Sequence, residues 1–133
     1  MNSSNTAFAE AFANPATPAD WQPLCSRRDL VANSGVVAWL DGRQVALFWL
    51  PDNSEDQRLF AVDNRDPKSG VNVIGRGLIG QIGGELVIAS PLYKQHFRLN
   101  DGSCIEYPEQ RLDVWPVRLN GETVEITARP VHH

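Results

Sequence analysis

The clearest pattern of apolar and polar positions is a pair of β-rich runs around one turn. Gly35-Val36-Val37-Ala38-Trp39-Leu40 is apolar and β-branched, Asp41-Gly42 is a turn pair that tolerates positive φ, and Arg43-Gln44-Val45-Ala46-Leu47-Phe48-Trp49-Leu50 returns. The returning run is apolar at every position from Val45 onward. A strand that hides both faces lies inside a sandwich or barrel, or under a partner. Pro51 stops it. Upstream, Trp21–Cys25 predicts a short strand that Pro23 confines to an edge or a strand start, and Ser26–Leu30 a turn or one helical turn.

Downstream, Arg58–Val62 predicts a further strand, and Gly83-Gly84 marks a hairpin turn before a core strand at Glu85–Ala89. Phe97-Arg98-Leu99 alternates, Asn100-Asp101-Gly102 turns, and Ser103-Cys104-Ile105 returns. The last hairpin is predicted as Val114–Leu119, an Asn120-Gly121 turn, and Glu122–Ile126. In it Val117 and Leu119 alternate against Arg118, and Val124 and Ile126 against Thr123 and Glu125. Roughly nine short strands and no helical periodicity predict an all-β sandwich or barrel.

Two stretches break this rhythm. Residues 63–80 have little strand periodicity and four glycines, Gly70, Gly75, Gly77 and Gly80; residues 90–102 follow the apolar run Leu86–Ala89. Loops of that length inside a compact domain are usually functional or descended from something functional. Met1–Asp20 reads as a flexible N-terminal tail in which Phe8 and Phe12 could form one amphipathic turn, and residues 128–133 as a loose C-terminal one.

Composition narrows the function classes. The chain has 133 residues, 42% of them apolar, which suits one domain with a real core. A net charge of −4 argues against a nucleic-acid partner. No basic, apolar leader and no apolar run of membrane-spanning length occurs, so the expected compartment is the cytoplasm, with no membrane partner. Cys25 and Cys104 are too few for a disulfide framework and are expected as small buried hydrophobes, pairing only if the fold brings them close. The four tryptophans, Trp21, Trp39, Trp49 and Trp115, are expected in the core; one or two exposed ones would mark a subunit contact. Gly75-Arg76-Gly77 lacks the strand–helix context of a dinucleotide fingerprint. His132 and His133 are too few for a metal site, and a tag remnant accounts for them as well.

The two loops carry a resemblance. Asp63-Asn64-Arg65-Asp66-Pro67-Lys68-Ser69-Gly70 and Ser90-Pro91-Leu92-Tyr93-Lys94-Gln95-His96-Phe97 resemble the cluster-binding loops of Rieske iron–sulfur domains, which carry a Cys-x-His and a Cys-x-x-His pair. Asp66 and Lys68 stand at the first pair, and Ser90 and Tyr93 at the second. The likeness spans roughly residues 21–127. It implies an all-β Rieske-like sandwich or barrel with a smaller loop-bearing subdomain at about 62–105. Together with Trp21–Cys25, these phrases resemble the small subunits of assimilatory NAD(P)H-dependent nitrite reductase.

That resemblance implies a large-subunit partner holding FAD, an iron–sulfur cluster and sirohaem, which reduces nitrite to ammonia. It also implies a chain with no [2Fe-2S] cluster and no catalytic residues of its own. Asn64, Arg65, Arg76, Lys94 and His96 surround the loop end as candidate docking residues, and His96 is expected to bond to backbone. A salt bridge between Asp66 and Lys68, or from either to a neighbour, is a candidate for the cluster's organising role. Two other readings stay open: a free-standing β module that binds an anion or a protein, and an atypical Rieske-type electron carrier.

Overall fold

A computed structural model describes residues 21–53 and 57–131; the expected N-terminal tail and the pair His132 and His133 lie outside them. Among the described residues ten strands follow one another: β1 (Trp21–Ser26), β2 (Gly35–Leu40), β3 (Arg43–Trp49), β4 (Leu59–Asp63), β5 (Leu78–Ile82), β6 (Glu85–Ala89), β7 (His96–Arg98), β8 (Val114–Trp115), β9 (Val117–Asn120) and β10 (Thr123–Thr127). No α-helix occurs among the described residues; single 3-10 turns stand at Arg27–Asp29 and Ile74–Arg76. None of the described helices is long and apolar enough to cross a membrane.

The strands form three antiparallel sheets in the orders β1-β10-β9, β2-β3-β4-β8 and β5-β6-β7. The second sheet is the middle layer, and the apolar run in β3 is the reason. Successive side chains of a strand point to opposite faces. Val45 and Leu47 therefore pack with Leu59, Ala61, Trp115, Val124 and Ile126 on the side of the first sheet. Ala46 and Phe48 pack with Phe60, Val62, Ile88 and Phe97 on the side of the third. All four of these β3 residues are fully buried. Each large one contributes about 1.5–3 kcal/mol of hydrophobic stabilisation by leaving water.

Local chemistry sets the connections. Asp41 and Gly42 both take positive φ, as a two-residue hairpin requires. Ser26 caps the first 3-10 turn: its hydroxyl accepts from the Arg28 amide, and Asp29 accepts from the Ser26 amide. Pro23 lies in β1, an edge strand whose register slips between Pro23 and Cys25, so its missing N–H leaves no gap in a central ladder. Cys25 stands opposite Val124 in the first sheet and Cys104 bridges Phe97 beside the third; both thiols are free.

Two expectations are corrected, and one contact is added at the C-terminal end. The predicted strand Val114–Leu119 is two strands: β8 pairs with β4 and β9 with β10, with Pro116 between them. A proline cannot donate to a ladder, and here the chain changes sheets at that residue. The stretch before Gly83 ends in β5, which the pattern hid because an edge strand exposes Leu78 and Ile82 and places a glycine between them. Val131 donates its amide to Val114 O at 2.7 Å, so the described end of the C-terminal segment returns along β8.

Gly102 shows where backbone shape is non-negotiable. Its φ is +80°, and a Cβ there would lie 2.0 Å from Leu112 O. Gly121 also has positive φ, but nothing lies within 4 Å of its Cβ position. Gly102→Ala is expected to cost about 3 kcal/mol or more and Gly121→Ala about 1 kcal/mol, read as separate midpoints in urea denaturation.

Candidate functional site

The loop between β4 and β5 and the loop between β6 and β7 meet over a buried carboxylate. Asp66 has no exposed surface, and neither does Ser90. Ser90 Oγ donates to Asp66 Oδ2 at 2.5 Å, and Gln95 Nε2 donates to Asp66 Oδ1 at 3.0 Å. The amides of Lys68 and Ser69 donate to the same Oδ1 at 2.8 and 3.3 Å, so the side chain also closes its own loop as an Asx turn. Four donors and no cation face this group, the complement of an acceptor-only carboxylate. The main chain repeats the closure, with Asp66 N donating to Val71 O and Gly70 N to Asp66 O.

The second loop is shaped to meet it. Lys94 N donates to Ser90 O at 3.0 Å and Ser90 N to Gln95 O at 3.0 Å, a tight turn that carries Gln95 inward. Both N–H bonds of the Gln95 amide are used, on Asp66 and on Gln110 Oε1, and its buried Oε1 has no partner. Leaving a buried carbonyl unpaired costs about 1–3 kcal/mol, so the carboxylate's demand for donors sets the orientation of this amide.

The four residues that the resemblance sets at the ligand pairs thus form two contacts between the loops. Asp66 bonds to Ser90 inside, and outside the Lys68 ammonium lies 4.9 Å from the centre of the Tyr93 ring. No ion pair joins Asp66 to Lys68 or to any other cation among the described residues. The expected salt bridge is replaced by hydrogen bonds, because the Asx turn directs Asp66 into the interior while the Lys68 side chain leaves over Tyr93.

The other candidates divide. Arg65, Arg76 and Lys94 are exposed. Asn64 is 2% exposed and is a strut. Its Nδ2 donates to Gln44 Oε1, and its Oδ1 accepts from Gly75 N at 2.7 Å, which ties the first loop to β3 and to the second 3-10 turn. His96 bonds to a carboxylate and not to backbone: Glu106 Oε2 lies 2.5 Å from its Nδ1, and Glu106 Oε1 accepts its amide at 2.8 Å. Burial draws the Glu106 acid upward, but the hydrogen bonds from the His96 amide and ring outweigh it and hold the carboxyl below its ordinary value. Asp101 in the adjoining turn behaves alike, its burial outweighed by the hydroxyl and amide of Ser103 and by Arg111 and Arg98.

Three residues escaped the sequence. Gln95 and Glu106 sit among polar neighbours, and nothing in their spacing distinguishes a buried or paired amide or acid from a solvated one. Trp39 is 66% exposed, at the mouth of a shallow groove lined also by Arg43, Asp63, Arg65 and Asn72. Its run was apolar throughout, so no alternation revealed its face. Among the described residues, no group of three His, Cys, Asp or Glu side chains is placed to hold a metal ion.

The chain is similar to known proteins. Residues 20–127 match the model of the family described as "Rieske-like [2Fe-2S] domain". The chain is 40% identical to the nitrite reductase (NADH) small subunit of Salmonella typhimurium over 106 residues, 80% of this chain and 95% of that one. It is 41% identical to the nitrite reductase [NAD(P)H] large subunit of Klebsiella oxytoca over 114 residues, 84% of this chain but 11% of the relative. Among solved structures, the E. coli protein NirD matches at 39% identity with a TM-score of 0.69, covering 80% of this chain and 94% of that one. A ferredoxin of carbazole 1,9a-dioxygenase from Nocardioides aromaticivorans, 14% identical, shares the fold with a TM-score of 0.68 over 84% of this chain and 100% of its own.

Two outcomes test the loop contacts. Ser90→Ala leaves Asp66 Oδ2 buried without its hydroxyl donor and is expected to cost about 2 kcal/mol, while Asp66→Ala is expected to raise amide exchange at Lys68, Ser69 and Gly70 and through residues 90–95. Exchange unchanged in Asp66→Ala would mean that the loops hold without the carboxylate. For Glu106 and Asp101 the folded pKa lies below the unfolded one. Their contribution is complete above the unfolded value, about 4, and disappears as pH falls through the folded one. Acid denaturation of Glu106→Gln and Asp101→Asn is expected to show a flatter loss below about pH 4.3 than the wild type.

Proposed function

The chain belongs to the Rieske-like [2Fe-2S] domain family and, within it, to the nitrite reductase small subunits, and on that premise we propose that it is the non-catalytic small subunit of a cytoplasmic, assimilatory NAD(P)H nitrite reductase. Its partner is the large subunit, which the family resemblance equips with FAD, an iron–sulfur cluster and sirohaem for the reduction of nitrite to ammonia. The observation that carries this reading is the form in which the module recurs. It is nearly a whole chain among the named small subunits and 11% of a chain named as a large subunit. A module covalently joined to its partner in one protein and separate in another is expected to meet that partner in both.

The loop chemistry supports a role without a cluster. A Rieske centre takes two thiolates on one iron and two imidazoles on the other. Asp66, Lys68, Ser90 and Tyr93 offer neither donor, Lys68 presents a cation, and hard oxygen donors suit an iron–sulfide centre poorly. The interior donors at these positions are already committed, Asp66 to Ser90, Gln95 and its own loop. We therefore assign the loops of residues 62–105 to holding a surface in shape, with Arg65, Arg76, Lys94 and the exposed Trp39 as the side chains that face a partner.

Purification of the tagged chain from its own cells grown on nitrate is expected to bring down a large protein with flavin and sirohaem absorption. The isolated chain is expected to be colourless and free of iron. Iron and visible bands in the isolated chain would establish an electron carrier, and elution alone from a lysate with nitrite reductase activity a free-standing module.

A further inference from the structure

Resting on the subunit reading and deepening it, we propose that the tip of the two loops is an electrostatic docking surface for an acidic patch on the large subunit, with Lys94 and Lys68 as its principal contacts. The charge distribution points there first. The chain as a whole is acidic, yet residues 64–100 hold five of its twelve Lys and Arg and only two of its sixteen Asp and Glu. Of those two, Asp66 is fully buried under Ser90 and Gln95, and Glu85 is paired with Arg98. The exposed charges of the loops themselves, Arg65, Lys68, Arg76 and Lys94, are all positive. A field of one sign on a protein of the other sign steers and orients a partner of opposite charge.

Lys94 supplies an independent reason. Among the described residues, three non-glycine ones have positive φ: Asn33, Asp41 and Lys94, the last at +63°. Asn and Asp reach this region by bonding locally through short side chains, but Lys has no such aid and bears the clash of its Cβ. The turn that sends Gln95 to Asp66 demands this conformation, and glycine or asparagine would satisfy it at lower cost. No ion pair among the described residues accounts for a lysine there. Beside it, Leu92 and Tyr93 are 47% and 54% exposed, and the Tyr93 ring lies under the Lys68 ammonium. Exposed apolar surface rimmed by like charges is the make-up of a protein contact.

The test is the dissociation constant between the purified chain and its cognate large subunit, at about 50 mM and about 500 mM salt. Lys94→Asn keeps a residue that accepts positive φ and removes the charge, and Lys68→Gln removes the second charge. The double variant is expected to bind about five- to tenfold more weakly at the lower salt, with the difference closing at the higher. Its melting temperature is expected to stay within about 3 °C of the wild type. Arg28→Gln, on the exposed 3-10 turn after β1, is expected to leave binding unchanged. A double variant that binds like the wild type, or is weakened equally at both salts, overturns the electrostatic tip while leaving the subunit reading intact. No complex from the wild-type pair at either salt overturns the subunit reading, and the docking surface with it.

Discussion

A carboxylate without access to water must be surrounded by donors, and the loop end of this domain is built around that requirement. Asp66 takes two donors from its own loop and two side-chain donors from the other, so one acid sets the shape of both segments. Around it, the turn at Lys94 exists to deliver Gln95, and the Gln95 amide is oriented at the expense of its own carbonyl. Each of these features is costly alone. Together they are consistent, because each cost meets a demand of the carboxylate.

This polar node stands on an apolar frame. Strand β3 is buried on both faces and separates two cores, and the first loop springs from its neighbour β4. Asn64 connects the levels: its side chain bonds Gln44 in β3 and the amide of Gly75 in the second 3-10 turn, so the position of the first loop is referred to the middle sheet. Arg43 adds a second tie, bridging Asp63 at the end of β4 and Asp113 before β8 at 2.8 and 3.0 Å while lying over the Trp115 ring. Those contacts are partly exposed, so their individual contributions are modest, but they meet where three elements converge.

In Rieske domains with a cluster, metal ligation joins the two loops. In this chain the loops are joined by a buried hydrogen bond from Ser90 to Asp66 and a cation–π contact of Lys68 with Tyr93. The inner contact is directional and water-free, and the outer one is a solvent-facing stack. This pairing holds the two loops together through side chains alone. It also leaves the tip with a positive, partly apolar surface.

The sequence by itself determined most of the strands, the turns and the family. Turn pairs such as Asp41-Gly42 and Gly83-Gly84 act through local φ preferences, and the two-faced apolar run Val45–Phe48 requires a strand between two layers whatever those layers are. The loop phrases were legible as whole motifs, and their likeness singled out Asp66, Lys68, Ser90 and Tyr93. Tertiary structure decided what those residues touch. Asp66 could be read beside Lys68, two positions away, but its partners Ser90 and Gln95 lie 24 and 29 residues on. Likewise the split at Pro116, the burial of Asn64 and the exposure of Trp39 depend on which sheet or loop covers each residue. Turn chemistry acts over a few neighbouring residues and is written in their order, whereas burial and hydrogen-bond pairing are set by chain segments that meet only after the sheets have closed.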